Sequence, residues 1–194
     1  MAGNTTLRVI PLGGLGEIGR NMMVLEYGDD IIVVDVGLMF PEEEMLGVDL
    51  VIPDFSYLRE NREKLRAVFL THGHEDHVGA LPYFMREFNV PIYGARLTDG
   101  LIRVKLQEHR LLQGAETHVV VPGEVITAGV FEVEFFPVAH SIPDACGLII
   151  RTPLGPVVHT GDFKLDHTPV MDQHTDLIRL AQVGAEGCLL LLAD

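Results

Sequence analysis

The stretch Thr71-His72-Gly73-His74-Glu75-Asp76-His77 places three histidines and an aspartate within six positions, directly after the apolar run Ala67-Val68-Phe69-Leu70. A strand that ends here and turns into a helix lets His72 and His74 point one way while Asp76 and His77 reach a second point nearby. One stretch can therefore serve two metals. Imidazole and carboxylate ligands without a thiolate favour zinc or manganese over an iron-sulfur or cysteine-only site. A lone histidine reads as a satisfied surface residue, whereas four ligand-type residues at H-x-H-x-D-H spacing read as a metal centre.

The rest of the chain must supply a fold that presents this stretch. At 194 residues, 47% of them hydrophobic, it fits one domain or part of a larger one with a sizeable core. Met1 to Thr6 lacks a charged segment leading into an apolar core, and the apolar run Leu189 to Ala193 is far short of the roughly 20 residues that span a bilayer. The expectation is a cytoplasmic protein with no membrane contact. Cys146 and Cys188 form no C-x-x-C pair and sit in apolar runs, which predicts two buried, reduced thiols. A formal net charge of −14 argues against binding nucleic acid through a broad basic surface. It leaves room for a nuclease, because two divalent ions would bring positive charge to the place where a phosphate must sit.

Along the chain, Leu7 to Leu12, Met22 to Tyr27 and Ile31 to Val36 read as strands. Gly14, Gly16 and Gly19 match G-x-G-x-x-G, with Asp35 at about the distance of a ribose-binding acid. That motif needs a helix after the glycines. The segment from Asn21 to Tyr27 is instead short, partly β-branched and stopped by Gly28-Asp29-Asp30 as a hairpin turn, so a dinucleotide site is rejected. The loop Gly37 to Pro53 carries Glu42, Glu43, Glu44 and Asp49. Its charges read as solvated, with the Gly47 carbonyl and Asp49 carboxylate as candidate oxygen ligands for a hard cation such as Ca2+. Asp54 is positioned to cap a helix running to about Lys64.

Leu81, Met85 and Phe88 repeat at helical spacing, with Pro82 tolerable in the first turn. After a short strand at Pro91 to Ala95, the apolar set Leu97, Leu101, Val104 and Leu111 predicts an amphipathic helix. Arg96, Arg103, Lys105 and Arg110 fall among its polar positions and read as a solvated face that could also meet a phosphate backbone. Val119 to Val121, Phe131 to Val138, Gly147 to Arg151 and Val157 to Thr160 read as strands, His174 to Val183 as a helix and Cys188 to Ala193 as a buried strand. The chain stops at Asp194 just after a strand, which predicts an N-terminal portion of a longer fold. His140 and Asp162 both fall where strand patterns give way to loops, the usual place for sites. His109, His118, His167 and His174 have no partner pattern and read as surface residues.

The whole pattern resembles the metallo-β-lactamase superfamily, and within it the ribonuclease J family of β-CASP nucleases. The resemblance runs from Val9 to Asp194. It is carried by Gly13 to Asn21, Val34 to Pro41, Ile52 to Tyr57, Leu70 to Tyr83, Ala139 to Ala145 and His159 to Asp166. H-x-H-x-D-H identifies only the superfamily; the other stretches are more selective. The resemblance implies an α/β fold, an αββα sandwich present here only in its first part. Residues 1–194 would be the N-terminal part of the metallo-β-lactamase domain, with the β-CASP insertion, a last histidine ligand and a C-terminal domain outside them. It also implies that His72, His74 and His140 hold one metal, Asp76 and His77 the second, and that Asp162 bridges both. Asp35 would orient a ligand histidine from behind, a strand-end turn residue being the plainer reading. His159 would act in the same outer layer or serve as a buried structural histidine.

The implied activity is metal-dependent hydrolysis of RNA phosphodiesters, as a 5′-to-3′ exonuclease and an endonuclease in RNA processing and decay. Two Zn2+ or Mn2+ ions would be the cofactors, and Asp76 would orient or deprotonate the attacking water. RNA with a 5′-monophosphate would be the substrate, and the intact protein a homodimer or homotetramer. The competing readings are another hydrolase of the superfamily, such as a thioesterase or lactonase, and a non-catalytic scaffold subunit that keeps the fold.

Overall fold

The computed structural model describes residues 6–194; Met1 to Thr5, and with them most of the segment read as lacking a secretory signal, lie outside the described residues. Two sheets form. The first, in the order β1-β2-β3-β4-β5-β6, comprises β1 (Leu7–Gly13), β2 (Met22–Tyr27), β3 (Asp30–Val34), β4 (Leu65–Phe69), β5 (Ile92–Gly94) and β6 (Thr117–Val119). The second runs β11-β10-β9-β8-β7 and comprises β7 (Val125–Ala128), β8 (Phe131–Pro137), β9 (Cys146–Thr152), β10 (Gly155–His159) and β11 (Leu190–Leu192). The helices are α1 (Ser56–Glu60), α2 (Glu75–Val78), α3 (Leu81–Met85), α4 (Arg96–Glu108) and α5 (Leu177–Glu186).

Strand periodicity builds the layers, because alternate side chains leave opposite faces of a sheet. Leu25, Ile32, Val34, Ala67 and Phe69 face the second sheet and pack with Phe131, Val133, Phe135, Leu148, Ile150 and Val157. Their neighbours of opposite parity, Val24, Ile31, Val33, Val68 and Leu70, pack with Leu58, Leu81, Phe84, Ile102 and Leu106 from the helices. On the far side, Phe136, Ile149 and Val158 meet Val183 of α5. The result is helix, sheet, sheet, helix, the αββα layering expected from the resemblance.

Within this frame the glycine-rich decoy is settled, since β1 passes through a loop into strand β2 and no helix follows Gly19. Pro82 does lie in the first turn of α3. Several local expectations need correction. Asp54 is not the cap residue of α1 but precedes the cap, Phe55, and its carboxylate accepts from Ser56 N at 2.9 Å; α1 stops at Glu60, and a 3-10 turn at Arg62–Lys64 covers the rest of the expected helix. Helix α4 buries Thr98, Asp99, Ile102 and Leu106, while Leu101 and Val104 are exposed, so i, i+4 spacing from Thr98 sets the buried face.

The expected strand at Val119 to Val121 ends at Val119, and β7 was not anticipated because it is only four residues long between turns. Helix α5 starts three residues later than expected, where Asp176 caps it by accepting from Arg179 N at 2.9 Å. The run Cys188 to Ala193 shrinks to β11, a three-residue strand paired in parallel with β10, and Leu189, Leu190 and Leu191 are exposed. Cys188 is exposed too, so only Cys146 is the buried thiol expected of both.

Candidate metal centre

The site forms where β3, β4, β8 and β10 end. Parallel pairing of β3 with β4 brings Asp35, just past β3, beside Thr71 and His72, just past β4. The chain then turns: His74 is the N-cap of α2 in extended conformation, and the one-turn helix places His77 back toward Asp35. The close fit needs small residues. A Cβ on Gly37 would overlap the Asp76 carbonyl oxygen, and Leu101 of α4 fills the space against Gly73.

Asp35 is buried with a backbone φ of 59°, a conformation that aspartate tolerates better than most residues. Its Oδ1 accepts from Thr71 N and its Oδ2 from Thr71 Oγ1, both at 2.8 Å. Oδ2 also lies 2.8 Å from His77 Nδ1. With Nδ1–H donating to Asp35, the other nitrogen, Nε2, is turned into the site, 3.2 Å from Asp162 Oδ1 and 3.6 Å from Asp76 Oδ2. Asn21 Nδ2 lies 3.1 Å from His77 Nε2 and 3.4 Å from Asp76 Oδ2, and its backbone N–H donates to the Asp76 carbonyl at 3.0 Å. Sequence reasoning assigned no site role to Asn21, although it closes the selective stretch that begins at Gly13.

His72 is fully buried. Its Nε2 lies 3.1 Å from His74 Nδ1, and His140 Nε2 lies 3.2 Å from the same atom. Donors bound to one ion at about 2.0–2.1 Å in a tetrahedron stand about 3.3 Å apart, so this spacing fits a shared ion. Asp162 straddles two groups: Oδ2 is 3.6 Å from His140 Nε2 and 4.0 Å from His72 Nε2, while Oδ1 faces His77. Two sets of potential ligand atoms each lie within 4.8 Å, one from His72, His74 and His140, the other from His72, His77 and Asp162.

Electrostatics divide these groups. Burial pushes the His72 imidazole far below its usual value, helped by the neighbouring His77. Burial also lowers His140 and His159. His77 goes the other way: burial opposes its charge, but the carboxylates of Asp35 and Asp162 outweigh that and raise it to about 10. Burial would raise both those carboxyls, yet the charge of His77 holds Asp35 below the usual range and its hydrogen bond does the same for Asp162. A divalent ion requires neutral imidazoles beside ionised carboxylates, a state that burial favours at His72 and His140, whereas His77 has to give up its proton to reach it.

The remaining sequence candidates are placed as follows. Asp76 flanks the second set without entering either group, with a partly exposed side chain. His159 ends β10, its Nδ1 accepts from Gly161 N at 3.0 Å, and it lines with Asp35, His77 and Asp162 a cleft of about 170 Å³. Gly47 and Asp49 lie exposed in their loop, outside both donor sets. His118, His167 and His174 are exposed, and His109 is half-buried against Tyr83. Of the basic residues on α4, Lys105 is tied to Glu75 at 2.8 Å and Arg103 to Thr117 at 3.0 Å. No helix among the described residues is long and apolar enough to cross a membrane.

Known proteins resemble this chain in sequence and in fold. Ribonuclease J of Thermus thermophilus is 53% identical over 97% of this chain and 34% of its own length. Ribonuclease J of Synechocystis is 49% identical over 100% of this chain and 31% of its own, and ribonuclease J2 of Bacillus subtilis 46% over 97% and 34%. The chain thus spans about a third of the length of these curated relatives. Among solved structures, Zn2+-bound PqqB from Methylobacterium extorquens superposes with a TM-score of 0.65 at 12% identity, over 96% of this chain and 72% of that one. That likeness concerns the fold alone. The family model described as "Metallo-beta-lactamase superfamily" matches residues 15–190, and this chain, with its αββα layers and a histidine-rich site able to hold metal, belongs to that superfamily.

Proposed function

We propose that the intact protein of which these residues form the N-terminal part of the metallo-β-lactamase domain is a metal-dependent ribonuclease. It hydrolyses RNA phosphodiesters from a 5′-monophosphate end and internally, in the cytoplasm, as a homodimer or homotetramer. A β-CASP insertion and a C-terminal domain complete it. The observation that carries this reading is the convergence of His72, His74, His140, His77 and Asp162 into two overlapping donor sets. The identity of 46–53% to ribonuclease J proteins supports RNA over other substrates of the same fold.

His72, His74 and His140 would hold one divalent ion and Asp76 and His77 a second, with Asp162 shared between the two groups; Zn2+ or Mn2+ would suit these donors. When bound, such ions polarise the phosphoryl oxygens and lower the pKa of the attacking water. The chain's own residues supply the alignment. Asp35 fixes which nitrogen of His77 faces the site, and His159 lines the same cleft. Asp76, held by Asn21 through both backbone and side chain, orients the attacking water and accepts its proton. Attack on phosphorus breaks the bond to the 3′ oxygen, which takes a proton from a donor outside these residues, and leaves a 5′-phosphate and a 3′-hydroxyl. The Gly47 carbonyl and Asp49 carboxylate are proposed as oxygen ligands of a separate Ca2+.

Intact protein is incubated with 5′-monophosphorylated RNA and either Mn2+ or Zn2+, beside an Asp76→Ala, His77→Ala double variant. RNA loss in the wild type and its absence in the variant support the reading. Equal loss in both sinks it.

A further inference from the structure

His140 and Asp162 come from separate strands of the second sheet, and nothing in either strand alone sets the gap between them. The segment 173–176 does. Ala139, the residue before His140, donates its N–H to Thr175 Oγ1 at 2.9 Å. The same hydroxyl donates to the Lys164 carbonyl at 2.9 Å, two residues past Asp162. Lys164 N–H in turn donates to the Ala139 carbonyl at 2.8 Å, closing a small ring between the two ligand-bearing limbs. Thr175 is buried, so neither hydrogen bond is replaced by bulk water when it is lost.

Gln173 secures the other side of the same limb. Its Nε2 donates to the Val138 carbonyl at 2.8 Å and to the Ala145 carbonyl at 2.6 Å, gripping both ends of the loop that carries His140. Asp176 N–H donates to the Pro137 carbonyl at 3.0 Å. Three residues of one segment thus bind backbone groups of Pro137, Val138, Ala139 and Ala145. The outcome is visible in the site, where His140 Nε2 stands 3.6 Å from Asp162 Oδ2 and 3.2 Å from His74 Nδ1.

We propose that the Thr175 hydroxyl, with the Gln173 amide, positions His140 against Asp162 and so sets the metal affinity of the centre. These are positioning residues, since they touch no donor atom themselves. The proposal rests on the reading of His140 as a metal ligand. A serine keeps the hydroxyl that both accepts and donates; a valine of nearly the same shape can do neither.

The test is cobalt titration of the intact protein, following the visible absorption of bound Co2+, with the unfolding midpoint of each metal-free variant measured alongside. Thr175→Val is expected to weaken Co2+ binding by at least about tenfold and to change the cobalt spectrum, as loss of an outer hydrogen-bond partner does in metal sites. Thr175→Ser is expected to stay within about twofold of wild type, because it retains both hydrogen bonds. A merely structural role would lower the unfolding midpoint and leave affinity and spectrum of the folded protein unchanged, and that result overturns the proposal. So does a serine variant as weak as the valine one. Gln173→Met, which keeps Thr175, is read in the same way and decides the matter if Thr175→Val does not fold. His140→Ala serves as the reference: if it binds Co2+ like wild type, the ligand reading fails and takes the proposal with it, whereas a weakened His140→Ala beside an unchanged Thr175→Val overturns the positioning alone.

Discussion

Asp35 Oδ2 stands 2.8 Å from His77 Nδ1 in the buried layer beneath the site, and this pair determines which nitrogen of His77 is offered to a ligand. Asparagine tolerates the positive φ of position 35 nearly as well as aspartate, so Asp35→Asn tests the charge without adding backbone strain. The variant leaves His77 and Thr71 with an amide in place of a carboxylate. Metal affinity should fall about 10- to 100-fold. Stability should fall by about 3 kcal/mol, as when one partner of a buried pair is removed. Calorimetric metal titration and urea unfolding measure the two effects.

The same pair makes metal binding pH-dependent. With its pKa raised to about 10, His77 carries a proton at neutral pH in the metal-free chain, and it must lose that proton to become a ligand. Affinity should therefore rise as pH increases toward about 10, and near pH 7.5 binding should release about one proton from His77. In the metal-free chain the stabilisation from charged His77 is complete below the unfolded histidine value of 6.5 and is lost as pH rises through about 10. Titrations in buffers of different ionisation heat count the proton directly.

Glu26 offers a test of stability away from the metals. It is buried on β2, accepts from Tyr57 OH, pairs with Lys64 Nζ at 2.7 Å and lies 3.6 Å from Arg8. Burial pushes its carboxyl up, but Lys64 and Tyr57 together hold it below the usual value of 4.5. Its contribution is then present above that value and lost as pH falls through the lower folded one. Glu26→Gln should cost about 2 kcal/mol near neutrality. Its unfolding curve should also show a flatter acid limb than that of wild type.

The cysteines should differ in reactivity. Cys188 is exposed, while burial, aided by Asp144, pushes the buried Cys146 thiol up to about 12. A maleimide should label only Cys188 in the native chain and both thiols after denaturation, as read by mass spectrometry. Labelling of Cys146 in the native state would mean that the core beneath the His140 loop opens.

What was legible in the sequence follows from range. A short apolar or β-branched run bounded by turn residues, such as Met22 to Tyr27 or Phe131 to Pro137, is a local signal, and it marks strands of both sheets other than β7. The cluster His72 to His77 announced a metal site for the same reason. Asn21, Gln173 and Thr175 carry no signal of their own because they act by hydrogen bonds to groups as far as 56 residues away, which leave no spacing pattern in the sequence. Cys188 and the leucines beside it read as buried because an apolar run looks the same at a sheet edge as at its centre. The face of α4 was misread since Leu101 is partly exposed while covering Gly73, and Thr98 and Asp99 are buried instead.

The proposed centre would hold two divalent ions in one chain through overlapping donors. Metal analysis of the intact protein, after saturation with Zn2+ or Mn2+ and removal of the excess, tests it most directly. About two ions per chain are expected for wild type and about one or fewer for Asp162→Ala, because Asp162 faces both sets. Equal metal content in the two proteins, or one ion in wild type that survives the loss of Asp162, would contradict it.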